Sequence, residues 1–245
     1  MLKLNIAVIA GYGMDVDRLP MHRNFVKKSI EFGLNNDTDL FFVIGGDTNP
    51  DYPGKTEADA SFRVIKEEFS QYDVVKIPEG CDDKFLDAIN LEKKAKESFL
   101  KLSTKDMSIE LALRRIEKIR FILPVVVLGT GNTSADTLIA VRDFLRKREV
   151  GINKLILCSE TSRSTGFDLD ALFVGLKEIL VEDENPDAEF IFYGRSFPET
   201  KNEIQIQKKK LLLKILSHYY PIFEWLRQKY QKRHQRKVAK LKRGK

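Results

Sequence analysis

The stretch Phe41-Phe42-Val43-Ile44-Gly45-Gly46-Asp47-Thr48, taken with Thr56-Glu57-Ala58 after it, decides the fold. Four apolar residues run without polar alternation, the pattern of a strand buried on both faces. Gly45 and Gly46 then let the backbone turn sharply and bring its N–H groups close to a ligand. Thr56-Glu57 opens a new apolar-periodic segment, as the start of a helix does. A strand, a glycine turn and a helix N-terminus together predict a polar pocket at the carboxyl edge of a parallel sheet.

Working outward, the same alternation repeats. Asn5 to Ala10 reads as a first buried strand, ended by Gly11-Tyr12-Gly13. Met21 to Phe32 reads as a helix, and Gly33 and Asn35 suit its end. Leu40 to Ile44 is the second strand, and Thr56 to Phe69 the second helix, with Ala58, Phe62, Ile65 and Phe69 on one face. Tyr72 to Ile77 reads as a short third strand, and Phe121 to Leu128 as a strongly apolar fourth. The stretch from Gly129 to Asp136 leads into a helix over Thr137 to Arg148. Lys154 to Cys158, a helix over Asp168 to Leu180, and a strand over Glu189 to Tyr193 complete the series. Helix-length spacers between strands predict an α/β fold, with an open, mainly parallel sheet flanked by helices.

Two regions depart from that alternation. Residues 82–120 are charged and helix-friendly, broken at Ser103-Thr104-Lys105-Asp106. They read as a helical hairpin inserted in the α/β domain of residues 1–200. A lid over the pocket and a packing or dimerisation element are both open, and charged helices are usually solvated faces. Residues 201–245 form the second region, a C-terminal helix interrupted near Pro221 and followed by a polybasic tail. They hold 15 Lys/Arg against 2 Asp/Glu, a net of +13. Residues 1–200 keep 27 basic and 34 acidic residues, a net of −7. The overall +6 therefore belongs to the tail, and the body is not a basic nucleic-acid-binding domain. Residues 227–245 carry ten basic side chains and no acid, which suits contact with nucleic acid or an anionic membrane.

Cys81 and Cys158 make neither a disulfide framework nor a zinc pattern, and reduced thiols are the simplest reading. His22, His218 and His234 are scattered, so no structural zinc site is expected. The N-terminus lacks the pattern of a signal peptide, and no stretch of 18 apolar residues exists. A cytoplasmic location without a transmembrane segment is the expectation.

The strand ends gather the chemistry. Backbone N–H groups at Gly11, Gly13, Gly45, Gly46, Gly129 and Gly131, with Thr130, Asn132, Thr133 and Ser159, can hold phosphate or carboxylate oxygens. Arg23, Arg163 and Arg195 can give fork-shaped anion contacts. Glu57, Asp47 and Asp136 can bind ribose-like hydroxyls or a metal, or act as acid/base, and Glu57 and Asp136 are the catalytic candidates. Ser, Thr and Asp at such junctions also serve as helix caps. Gly54-Lys55-Thr56 lacks the first glycine of a P-loop, since position 49 is Asn, and Gly129-Thr130-Gly131 lacks the third glycine of a dinucleotide fingerprint. No Ser-His-Asp or Cys-His set is legible, so the residues name no reaction.

From Ile6 to Arg195, with residues 82–120 outside it, the chain resembles the DUF218 family, also described as YdcF-like or SanA/ElyC-like. The resemblance rests on Ala10-Gly11-Tyr12-Gly13, Arg23, Ile44-Gly45-Gly46 and Thr56-Glu57-Ala58. Thr130, Thr133, Ala135 and Asp136 stand where the family has a Ser-x-x-Thr-x-Glu-Asn pattern, with Ala135 in place of the acid and Asp136 in place of the amide. Ser159 and Arg163 match part of a later Thr-Ser…His…Arg block whose His is missing here. The resemblance implies a Rossmann-like fold and a divergent member of the family. It also implies a small anionic or nucleotide-like ligand, such as S-adenosylmethionine, at the sheet edge. The rival reading is an adaptor that binds nucleic acid or an anionic membrane through its tail.

Overall fold

The computed structural model describes residues 2–11, 19–46, 56–77, 122–129, 134–160, 170–172, 175–176 and 189–195, with isolated positions between 205 and 229. Six strands occur among them: β1 (Leu2–Ala10), β2 (Leu40–Ile44), β3 (Asp73–Ile77), β4 (Ile122–Leu128), β5 (Val150–Glu160) and β6 (Glu189–Arg195). The helices described from end to end are α1 (Leu19–Leu34), α2 (Glu57–Glu68) and α3 (Ser134–Lys147). The strands form one sheet in the order β3-β4-β2-β1-β5-β6. Every pairing is parallel. The molecule is thus an open, all-parallel α/β sheet of Rossmann-like character, flanked by helices on both faces.

The apolar runs are explained by that double coverage. Along β1, Leu4, Ile6 and Val8 face one side, where Phe42, Ile44, Val126 and Leu157 join Leu138, Val141, Phe144 and Leu145 of α3. Ala7 and Ile9 face the other, where Phe41, Val43, Val125 and Ile156 meet Phe25, Val26 and Ile30 of α1 and Ala58 and Ile65 of α2. The period of two in the strands and the apolar stripes of the helices therefore agree. The chain moves from β1 to β2 and on to β3 in one direction, carrying α1 and α2 on one face. It moves back from β4 to β5 in the opposite direction, carrying α3 on the other, as right-handed crossovers require. Pro124 sits in β4 opposite Val75 of β3, one rung before the ladder with β2 begins at Phe41 and Val125.

Several boundaries differ from the sequence expectation. β5 starts at Val150 rather than Lys154, because Val150, Gly151 and Ile152 pair with Leu2, Lys3 and Leu4 across a register shift. α3 starts at Ser134, so Ser134 to Asp136 form its first turn rather than a loop before it. Gly194 and Arg195 belong to β6 and pair with Ser159 and Glu160, which extend β5. The helix expected over Asp168 to Leu180 stops early. Gly175, at φ 73°, donates to the Leu172 carbonyl and Leu176 donates to Ala171. That is a Schellman ending with glycine in the left-handed position. Residues 82–120 and most of the C-terminal segment lie outside the described residues.

Candidate functional site

The register places the site. Ala10 is opposite Ile44, and Ile44 is opposite Leu128, so β1, β2 and β4 end on one level. One residue further, Gly11, Gly45 and Gly129 stand side by side across three adjacent strands. This row crosses the boundary between β2 and β4, where the chain leaves β2 toward α2 on one face and β4 toward α3 on the other. Its far end adjoins a second such boundary, between β1 and β5. A reversal of this kind is where open parallel sheets hold ligands.

The first residues of α2 lie directly on the row. A Cβ on Gly11 would collide with the Glu57 carboxylate and come within 2.9 Å of Glu57 Cβ. A Cβ on Gly45 would stand 2.7 Å from Glu57 Cβ and 2.9 Å from its Oε2. A Cβ on Gly129 would stand 2.8 Å from both Cγ2 and Oγ1 of Thr56. Gly45 has φ 148°, a backbone setting that side chains other than hydrogen rarely accept. The glycines are therefore required by the docking of Thr56 and Glu57, and Glu57 is held over the ends of β1 and β2. Gly45 N–H donates to the Leu128 carbonyl at 3.2 Å, and its own carbonyl accepts from Ala58 N–H at 3.1 Å. These two bonds tie β4, β2 and α2 into one joint.

A capping box fixes that helix start. Thr56 Oγ1 accepts from Asp59 N–H at 3.1 Å and donates to Asp59 Oδ2 at 2.9 Å. Thr56 N–H reaches back to the same carboxylate at 3.4 Å. On its other oxygen Asp59 accepts from Lys76 Nζ of β3 at 3.0 Å. Burial pushes the Asp59 carboxyl up, but the Lys76 ammonium and the Thr56 hydroxyl and N–H outweigh it and hold the group below its usual range. Asp59 and Lys76 were not among the residues singled out by sequence. The Thr-x-x-Asp spacing, a shortened capping-box pattern, was the signal for the first of them. No spacing could have supplied Lys76, which comes from a different strand.

The remaining candidates are distributed as follows. Gly46 continues the turn after Gly45 and is half-buried. Ser159 is buried in β5 and, because Cys158 faces Ile9, lies level with Ala10 beside the row. Asp136 is exposed in the first turn of α3, where a carboxylate complements the helix dipole. Arg23 is not brought to the row. It pairs with Glu67 at 2.7 Å and with Glu68 at 2.5 Å, at the far end of α2 and about 15 Å along that helix from Glu57. Gly13, Asp47, Thr130, Gly131, Asn132, Thr133 and Arg163 lie outside the described residues.

Cys158 is fully buried in the sheet, and burial pushes its thiol up to about 12, so the side chain is a core group rather than a nucleophile. His22 is buried between α1 and α2 with Nε2 at 3.3 Å from Ser61 Oγ, and burial pushes it down to about 4. Ser61 is one helical turn after Glu57 on α2, and the neutral imidazole packs against it at the α1–α2 contact. Sequence reading passed over His22 as one of three scattered histidines. Among the described residues no group of three or more His, Cys, Asp or Glu is gathered for a metal ion. Nor is any helix among them long and apolar enough to cross a membrane. No family model matches the chain, and neither a curated protein nor a solved structure matches it.

Proposed function

We propose that the chain binds a small nucleotide-like ligand at the carboxyl edge of β4, β2 and β1. The observation that carries this reading is the level row Gly129, Gly45 and Gly11 with Glu57 laid across it, at a reversal of strand direction. Glu57 narrows the chemistry. An ionised carboxylate only accepts hydrogen bonds, so the middle of the row suits hydroxyl or ammonium donors better than phosphate. A ribose diol fits that requirement, and so does the amino group of S-adenosylmethionine. For an anionic end of the same ligand the sequence offers the hydroxyls of Thr130 and Thr133, which follow Gly129 in the chain. The resemblance to DUF218 proteins supports the same class of ligand. Glu57 is also the group best placed for proton transfer, should the ligand be turned over.

Thermal unfolding of the full chain with adenosine, AMP, ATP, S-adenosylmethionine and sugar phosphates tests the reading. A ligand at 100 times its Kd stabilises the fold by about 2.7 kcal/mol, which a melting curve resolves. The same shift should vanish in Glu57→Gln, a variant that keeps the shape of the side chain on the row. A shift that survives unchanged in Glu57→Gln, or none with any compound, removes the ligand from this edge.

A further inference from the structure

Of the five large apolar side chains exposed among the described residues, four lie in the C-terminal segment. They are Leu212 (57% exposed), Ile215 (37%), Tyr220 (57%) and Trp225 (59%). Described positions from 205 to 216 are helical. On a helix Gln205, Lys208, Lys209, Leu212 and Ile215 fall within an arc of about 120°, and each of them is exposed. One stripe thus mixes lysines with bulky aliphatics facing water. Further on, Lys229 holds its ammonium 4.7 Å from the centre of the Trp225 ring. Single exposed apolar residues need no explanation, but Leu212 and Ile215 share a lysine-bearing stripe, and exposed Tyr220 and Trp225 follow them within 14 positions of a basic segment.

The charge selects what that surface meets. Residues 201–245 carry a net of +13. A second copy of the chain would bring two such segments together and is opposed by their repulsion. A nucleic acid satisfies the lysines but offers Leu212 and Ile215 nothing to pack against. An anionic bilayer surface satisfies both. Headgroups take the ammonium and guanidinium groups, the acyl boundary takes the aliphatics, and Tyr and Trp belong at the interface between them.

We propose that the C-terminal segment from residue 205 is an interfacial anchor that seats the protein on anionic membrane. Leu212, Ile215 and Trp225 insert at the acyl boundary while the basic residues hold the headgroups. The segment lies on the bilayer and does not cross it. This proposal is independent of the ligand at the sheet edge.

Trp225 is the only tryptophan of the chain, so its fluorescence reports this segment alone. The full chain should co-float with phosphatidylserine–phosphatidylcholine vesicles and not with pure phosphatidylcholine. Trp225 emission should shift to the blue on binding, and raised salt should weaken the association. Leu212→Ser with Ile215→Ser should weaken it about tenfold or more, with circular dichroism unchanged. Vesicle binding that depends on salt but is indifferent to that pair, with no blue shift, would mean charge alone acts and overturns the anchor. The proposal also fails if single-stranded RNA binds while vesicles do not. It fails equally if the native chain is a dimer that the serine pair turns into a monomer.

Discussion

A single methyl group tests the glycine row. In Gly11→Ala every close contact of the new Cβ is with the Glu57 side chain. In Gly45→Ala the same side chain is met at 2.7 Å, and the backbone is also held at φ 148°. Gly45→Ala should therefore cost about 2–4 kcal/mol, from overpacking and strain together. Gly11→Ala should cost less. Adding Glu57→Ala removes the carboxylate clash but keeps the Cβ at 2.9 Å, so it should rescue part of the Gly11→Ala loss and less of the Gly45→Ala loss, whose nearest contact at 2.7 Å is that same Cβ, with a coupling of about 1–2 kcal/mol in the first pair. Urea unfolding of the single and double variants measures it, and purely additive losses would separate Glu57 from the row. Each of the three glycines was visible in the sequence, as was the Thr56-Glu57-Ala58 that covers them. Their common level was not, because register is a property of paired strands and leaves no trace in one of them. Arg23 illustrates the same limit. Its place at the start of α1 was legible, but its partners Glu67 and Glu68 depend on how α1 lies along α2.

Between elements, the contact of α1 with α2 mixes two kinds of polar interaction. On the surface Lys27 and Arg23 pair with Glu68, and their ammonium and guanidinium groups hold its carboxyl below the usual range. Such exposed pairs add little and are screened by salt. Beneath them His22 and Ser61 are buried. The histidine titrates near 6.5 when the chain is unfolded and near 4 when it is folded. Above pH 6.5 neither state is charged and the group adds no pH dependence. Between 6.5 and 4 the unfolded chain takes up a proton that the folded chain refuses, so stability falls as pH falls. Below 4 the loss is complete, at about 3 kcal/mol. A comparison of the native chain with His22→Gln should show this component as the difference between two stability–pH curves, confined to that window. Parallel curves would place the acid sensitivity elsewhere. At this scale the sequence read element types well and element ends poorly. β5 gained Val150 to Asn153, and α3 gained Ser134 to Asp136. Gly151 and Asn153 are weak strand formers; Gly151 is held in β5 by pairing with Lys3 of β1, and Asn153, the extra residue at the register shift, by its side-chain bond to Asn5.

For the molecule as a whole, the regular spacing of apolar runs was enough to give a parallel sheet covered on both faces. The order β3-β4-β2-β1-β5-β6 was beyond it, since the same alternation fits several windings. The outcome puts the two earliest strands in the middle and leaves β3, with exposed Asp73 and Lys76, as a short charged edge that discourages pairing with another molecule. It also divides the polar work by end. At the carboxyl edge stand Glu57 and the glycine row. At the opposite edge Asn5 N–H donates to Asp39 at 2.8 Å, and Asn153 donates to the Asn5 side chain at 2.9 Å, stitching β1 to its neighbours.

That strand order sets a schedule for biosynthesis. Once Ile44 has emerged, β1 and β2 can pair, but the free side of β1 waits for β5, which begins at Val150, and that of β2 waits for β4. β3 emerges with no neighbour at all until Ile122 to Leu128 slides in beside it. At about 5–20 residues per second a ribosome needs roughly 5–20 s to cover the distance from Ile44 to Val150. Throughout that time the side of β1 that β5 will cover stays unpaired outside the tunnel. Nascent chains stalled before Val150 should therefore be held by chaperones or aggregate, while chains stalled beyond the release of β5 should resist protease. Equal protease resistance on both sides of that point would show that the early strands fold without their late partners.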